Sequence, residues 1–268
     1  MKKLIYIGIV IFLGLSFEPG YGQTSVSSEK ASSRDHLSLF FNVHPDQDLI
    51  SQELIEDELN EFCTELLIKR SKFTSARDYI SYIFFKVHKK YLYSYLINSP
   101  TYKTFATGEY DCLSGTAIYG MVFTKLGIKY TIRETPFHIY MMVYDGENEY
   151  LIESTDPENG FLSDKEEIRQ REALYAHAPV ESEYYKFEFT IDEKIQLTEL
   201  AGLEYYNQGV LAYNDRKFEE SFTNFEKALA LYPSERIKQV LLFSLEMAYK
   251  ENTLESERFN ALMNKHGK

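Results

Sequence analysis

The chain has 268 residues, a formal net charge of −12, and 22 Tyr and 19 Phe but no Trp. That negative balance, with no Lys/Arg block to override it, argues against a nucleic-acid partner, because phosphate binding needs basic patches. Hydrophobic residues at 44% and charged residues at 26% are ordinary for a globular protein, and with no indole the aromatic packing falls to Tyr and Phe.

Residues 1–22 have the layout of a secretory signal peptide. Lys2 and Lys3 precede an apolar run from Leu4 to Leu15, and Gly20 and Gly22 predict cleavage after Gly22. The run is shorter than the roughly 20 residues that span a bilayer, and a retained N-terminal anchor is the alternative reading. No segment of the mature chain is apolar enough to cross a membrane. The expected location is therefore outside the cytoplasm, periplasmic or secreted. In an oxidising compartment the two cysteines, Cys63 and Cys112, are a candidate disulfide.

Residues 23–45 begin Ser-rich and are expected to be a flexible N-terminal segment. From Pro45 and Asp46 a helix is predicted, with Leu49, Ile50, Leu54, Ile55, Leu59, Phe62, Leu66 and Leu67 recurring at helical spacing and Cys63 beside Phe62 on that stripe as a buried thiol. A second helix is predicted over 75–98, with His88 next to its apolar face as a packing or surface residue. The stretch SPTYKTFATGEYD reads as a loop. Asp111 is then an N-cap for CLSGTAIYGMVFTKL, and Gly127 ends that helix. IKYTIRET, PFHIYMMVYD and EYLIEST alternate as strands, with a turn at GEN. SDKEEIRQRE reads as a charged, exposed face. Helical periodicity resumes near Ile195, with helices over 203–214 and 218–231 and a second helix pair over 235–265. The fold class is α+β.

Cys112 stands at the first position of its helix. The thiolate is the nucleophile in cysteine chemistry, and a helix N-terminus lowers the thiol pKa. His138, strand-borne in PFHIYMM, is the candidate base. The candidate acids are Glu153 and Asp156 in LIESTDP, either of which would hold the imidazole in one tautomer. Strand geometry separates them. A two- or four-residue turn centred on Gly146-Glu147 pairs Val143 with Tyr150 and sets His138 opposite Thr155. Residues 138, 153 and 155 then share a face. A bulge or a three-residue loop would favour Asp156 instead.

A helix-borne Cys, a strand-borne His and an acid two residues before a Thr on the next strand together resemble the transglutaminase-like superfamily of papain-like thiol enzymes. The residues concerned are YDCLSGTAIYGMVFTKLGI, PFHIYMMV and LIESTDP, within about 105–160. The resemblance implies a Cys112–His138–Glu153 triad, with Asp156 as alternative acid, in a domain over 46–190 whose helical part is 46–100. It departs from the family in having Glu for the usual Asp, and in lacking the indole oxyanion donor of the crosslinking members. The Cys112 backbone N–H and the Tyr110 hydroxyl are the oxyanion candidates. Hydrolysis of an amide or peptide bond is accordingly expected over crosslinking. Gly209, Phe218, Ser221, Phe225, Ala228 and Pro233 fit a tetratricopeptide unit, so 195–268 resembles the helical tails of bacterial members.

Three further readings stand beside the exported hydrolase acting on a peptide or protein. One is a catalytically silent domain that binds a protein partner through its helical tail. Another is a Cys63–Cys112 disulfide with no chemistry. The last is a metal site of Cys112, His138, Glu153 and Asp156, which lacks zinc-type ligand spacing. No cofactor is expected.

Overall fold

The computed structural model describes residues 33–44, 51–135, 138–176 and 192–267. The predicted signal peptide and the start of the first predicted helix, 45–50, lie outside them. In chain order the elements are α1 (Ser33–Phe41), α2 (Gln52–Arg70), α3 (Ala76–Tyr91), β1 (Ser94–Tyr95), α4 (Thr101–Thr107), β2 (Glu109–Tyr110), α5 (Cys112–Leu126), β3 (Lys129–Glu134), β4 (Ile139–Asp145), β5 (Asn148–Ile152), β6 (Phe161–Leu162), α6 (Lys165–Tyr175), β7 (Glu193–Ile195), α7 (Leu197–Asn214), α8 (Phe218–Leu231), α9 (Glu235–Lys250) and α10 (Ser256–His266). The class is α+β. Among the described residues no helix is long and apolar enough to cross a membrane.

Four local expectations are corrected. On α2 the apolar stripe is narrower than its periodicity predicts, because Ile55, Leu59, Phe62 and Leu66 are buried while Leu54 and Leu67 are exposed. Part of the segment expected to be flexible is α1, because Leu37, Phe40 and Phe41 recur at helical spacing and are buried in the main core. The helix predicted over 75–98 stops at Tyr91. Beyond it, Tyr93 and Ser94 donate to the Gly108 carbonyl and Leu96 to that of Tyr110, so β1 runs parallel to β2. The predicted loop after it contains α4, which starts behind Pro100 and stops at Gly108 in a left-handed conformation (φ +76°). Buried Glu204 anchors its first residue, accepting from the Thr101 N–H (3.1 Å) and hydroxyl (2.5 Å).

Helix α5 lies at the centre. Every residue from Leu113 to Phe123 is buried, so it has no solvated face. It packs against α1, α2, α3, α4 and α7 and against β3 and β4. The sheet has the order β6-β5-β4-β3-β7, with every neighbour antiparallel. Strands β4 and β5 meet at Gly146-Glu147, with Asp145 opposite Asn148 and Val143 opposite Tyr150. Side chains alternate across the sheet. Met141, Val143, Tyr150 and Ile152 face the main core, while Tyr140, Met142 and Leu151 gather under Ile168 of α6.

The four C-terminal helices keep the helix-pair layout expected of them. Gly209 lets α8 press close, since a Cβ there would lie 2.6 Å from the Phe225 ring. Leu197, Leu200, Ala201 and Leu203 of α7 belong to the main core. Strand β7, beyond residue 190, completes the sheet beside β3. The tail is therefore built onto the preceding layers: buried Glu134, the last residue of β3, accepts from Tyr232 (2.9 Å) and Arg236 (2.5 Å).

Candidate active site

Asp111 caps α5 as the sequence predicts. Its carboxylate accepts from the Ser114 N–H (2.8 Å), and the Ser114 hydroxyl in turn accepts from the Asp111 N–H (2.9 Å), a reciprocal capping box. Cys112 follows as the first helical residue. Gly115 allows that first turn to touch the end of β5, because a Cβ on it would lie 2.8 Å from Ser154 Oγ and 2.9 Å from Ser154 Cβ. Ser154 itself is fully buried. The nucleophile candidate and the residue next to Glu153 are thus held together by a missing side chain.

The β4–β5 register carries the rest. Continued past Met141–Ile152, it puts Tyr140 opposite Glu153 and His138 opposite Thr155. His138 and Glu153 are then diagonal neighbours on one face. Their side chains meet, with His138 Nε2 2.5 Å from Glu153 Oε2. The carboxylate is only 2% exposed and its other oxygen accepts from the Thr155 N–H (2.8 Å) and hydroxyl (2.6 Å). Burial works against its charge, but the bonds from His138, Thr155 and Tyr175 win and hold the carboxyl below the usual Glu range. Asp156, the alternative acid, faces elsewhere. Its Oδ1 takes the Asn159 N–H (2.9 Å) and its Oδ2 meets the Arg171 guanidinium at 3.4 Å.

With Nε2 turned to the carboxylate, Nδ1 is the ring nitrogen left for a thiol. The His138 backbone is also fixed, since its carbonyl accepts from the Thr135 N–H and hydroxyl, both at 2.9 Å. Cys112 is partly buried and Cys63 is buried, and both are free thiols, so the candidate disulfide is not formed. The Ile139 backbone N–H, one residue after the imidazole, lies near enough to the Cys112 sulfur to favour its thiolate. The expectation of a lowered thiol pKa is reversed. Burial pushes the Cys112 thiol up to about 12, with the Asp111 and Glu153 charges adding to it and the Ile139 and Leu113 N–H groups opposing it. The helix N-terminus is outweighed first by burial and then by the charge of its own acidic cap. At neutral pH the group is a thiol.

Tyr110, the side-chain oxyanion candidate, is 4% exposed, and its ring packs edge-on against His88 (6.3 Å) and Tyr95 (5.9 Å). The Cys112 N–H is a first-turn donor without an intrahelical acceptor. His88 is buried with both ring nitrogens unpartnered, and burial lowers its pKa to about 4. The charged stretch after Asp164 proves to be α6, which brings a residue the sequence reading passed over. Tyr175, in its last turn, donates to Glu153 Oε2 at 2.5 Å and sets its ring 4.5 Å from that of His138. No group of His, Cys, Asp and Glu among the described residues is arranged to hold a metal ion. No family model matches the chain, and no curated protein or solved structure matches it.

Proposed function

We propose that the chain is an exported thiol hydrolase of transglutaminase-like type that cleaves an amide or peptide bond with Cys112, His138 and Glu153. The observation that carries this reading is the 2.5 Å contact between His138 Nε2 and the buried Glu153 carboxylate, beside the first turn of the helix that bears Cys112. Glu153 stays ionised and keeps the imidazole proton on Nε2. Nδ1 takes the Cys112 proton as sulfur attacks the carbonyl carbon. The tetrahedral oxyanion meets the Cys112 N–H, and Nδ1–H then protonates the leaving amine. Water, deprotonated by Nδ1, attacks the thioester and releases the acid and the thiol. Because the resting group is a thiol, deprotonation accompanies attack instead of preceding it.

A library of internally quenched peptides and simple amides tests this, with intact-mass analysis to separate Cys112 from Cys63. Hydrolysis lost in Cys112→Ser and in His138→Ala is the expected result. Hydrolysis indifferent to both substitutions, or absent together with any His138-dependent alkylation of Cys112, overturns it.

A second reading has its own observation. A cavity of about 920 Å³ lies where His44 and Tyr102 face α8, lined also by Gln208, Asn224 and Lys227. A silent domain of this fold would use that junction with the tetratricopeptide-like tail to hold a protein partner. Binding that survives Cys112→Ser and is lost on substituting Asn224 and Lys227 would favour it.

A further inference from the structure

The Glu in place of a shorter acid raises a physical question: one more rotatable bond separates the carboxylate from the backbone, so something has to fix it against the imidazole. Thr155 holds Oε1, and Oε2 is shared between His138 Nε2 and the Tyr175 hydroxyl, each at 2.5 Å. We infer that Tyr175 is a positioning residue, whose hydroxyl pins Glu153 Oε2 in place for His138 and whose ring screens that contact from water. The inference rests on the triad proposed above.

The way α6 is attached supports it. Only Ile168 of this helix is buried, and Leu174 is 69% exposed. The last turn is instead held by polar contacts converging on the site. Arg171 reaches Asp156 and the Tyr175 hydroxyl (3.4 Å), Glu172 accepts from Tyr140 (3.0 Å), and the Tyr140 and Tyr175 rings lie 5.0 Å apart. Arg171 thus supports the donor that Glu153 uses and occupies the acid that would compete for the imidazole. A hydroxyl donating to Oε2 withdraws part of the carboxylate's charge from the imidazolium. Removing it leaves Glu153 a stronger partner for His138 and a looser one.

The test is the NMR titration of the His138 ring, assigned by its loss in His138→Ala, in wild type, Tyr175→Phe and Tyr140→Phe. Tyr175→Phe keeps the ring and is expected to raise the His138 midpoint by about half a pH unit, and to slow His138-dependent alkylation of Cys112 several-fold. Tyr140→Phe loosens the same helix without touching Glu153 and is expected to leave the midpoint in place. An unmoved midpoint in Tyr175→Phe, or equal shifts in both variants, overturns the inference and reduces Tyr175 to a helix anchor. The titration reads the His138–Glu153 pair alone, so it stands whether or not Cys112 proves reactive. An inert Cys112 in wild type counts against the hydrolase reading only.

Discussion

Gly115→Ala puts one methyl group where α5 meets the end of β5. A Cβ there sits 2.8 Å from Ser154 Oγ, 2.9 Å from Ser154 Cβ and 3.2 Å from Tyr110 Cδ2. Carbon contacts relax to about 3.5–4.0 Å, so the first turn and Ser154 must separate by roughly 0.7–1 Å. Ser154 is fully buried, so it has no space to rotate into. Overpacking of this kind costs about 1–3 kcal/mol, while alanine in a helix returns about 1 kcal/mol over glycine. The net loss of stability is thus small, about 0–2 kcal/mol. The effect on chemistry is larger, because displacing a reacting group by about 1 Å costs on the order of 100-fold in rate. Urea unfolding gives the first quantity and the rate of His138-dependent Cys112 turnover or alkylation gives the second. Ser154→Gly removes the two nearest of these three atoms, so the double variant should recover most of the lost rate. Full reactivity in Gly115→Ala, or no recovery in the double variant, would refute the contact as the device that seats Cys112.

Three other outcomes follow from the same geometry. Glu153→Gln brings an amide against donors from His138, Thr155 and Tyr175, and hydrolysis should fall by ~10²–10⁴-fold, read as kcat/KM on a library hit; a loss under threefold would argue against its role. Asp111→Asn keeps a cap oxygen and removes a charge that raises the thiol, so Cys112 should alkylate faster at pH 8. Burial raises the Asp111 carboxyl to about 6 from 3.8, so its contribution to stability is fully present below pH 3.8 and is lost as pH rises through 6. The variant should gain up to about 3 kcal/mol on wild type between pH 4 and 7, and parallel urea midpoints across that range would contradict it. His88→Leu removes an imidazole whose folded pKa is depressed to about 4, so wild type is fully stable above pH 6.5 and loses stability as pH falls towards 4. That acid slope, up to about 3 kcal/mol, should be absent from the variant in urea titrations at pH 7 and 4.5.

Local signals placed Cys112, His138 and Glu153 because each depends on short-range geometry. A cap and a left-handed glycine bound α5, and a two-residue turn sets the parity that favours Glu153 over Asp156. Tyr175 left no such trace. Its helix buries only Ile168, and its reach to Glu153 spans 22 residues along the chain. The raised thiol pKa left no local trace for a related reason: the helix N-terminus is visible locally, whereas burial by other layers is not. α4 and β1 are short elements set by non-local partners, Glu204 for one and Gly108 with Tyr110 for the other.

The place of β7 bears on how the chain acquires its structure during synthesis. Until residues 193–195 leave the ribosome, the outer edge of β3 from Ile132 to Glu134 has no partner strand. Until Tyr232 and Arg236 follow, the Glu134 carboxylate has neither of its donors. Nascent or proteolytically shortened chains would therefore present an unpaired edge, a template for self-association. The last quarter of the polypeptide then serves the earlier layers as a safeguard against aggregation, whatever else it binds.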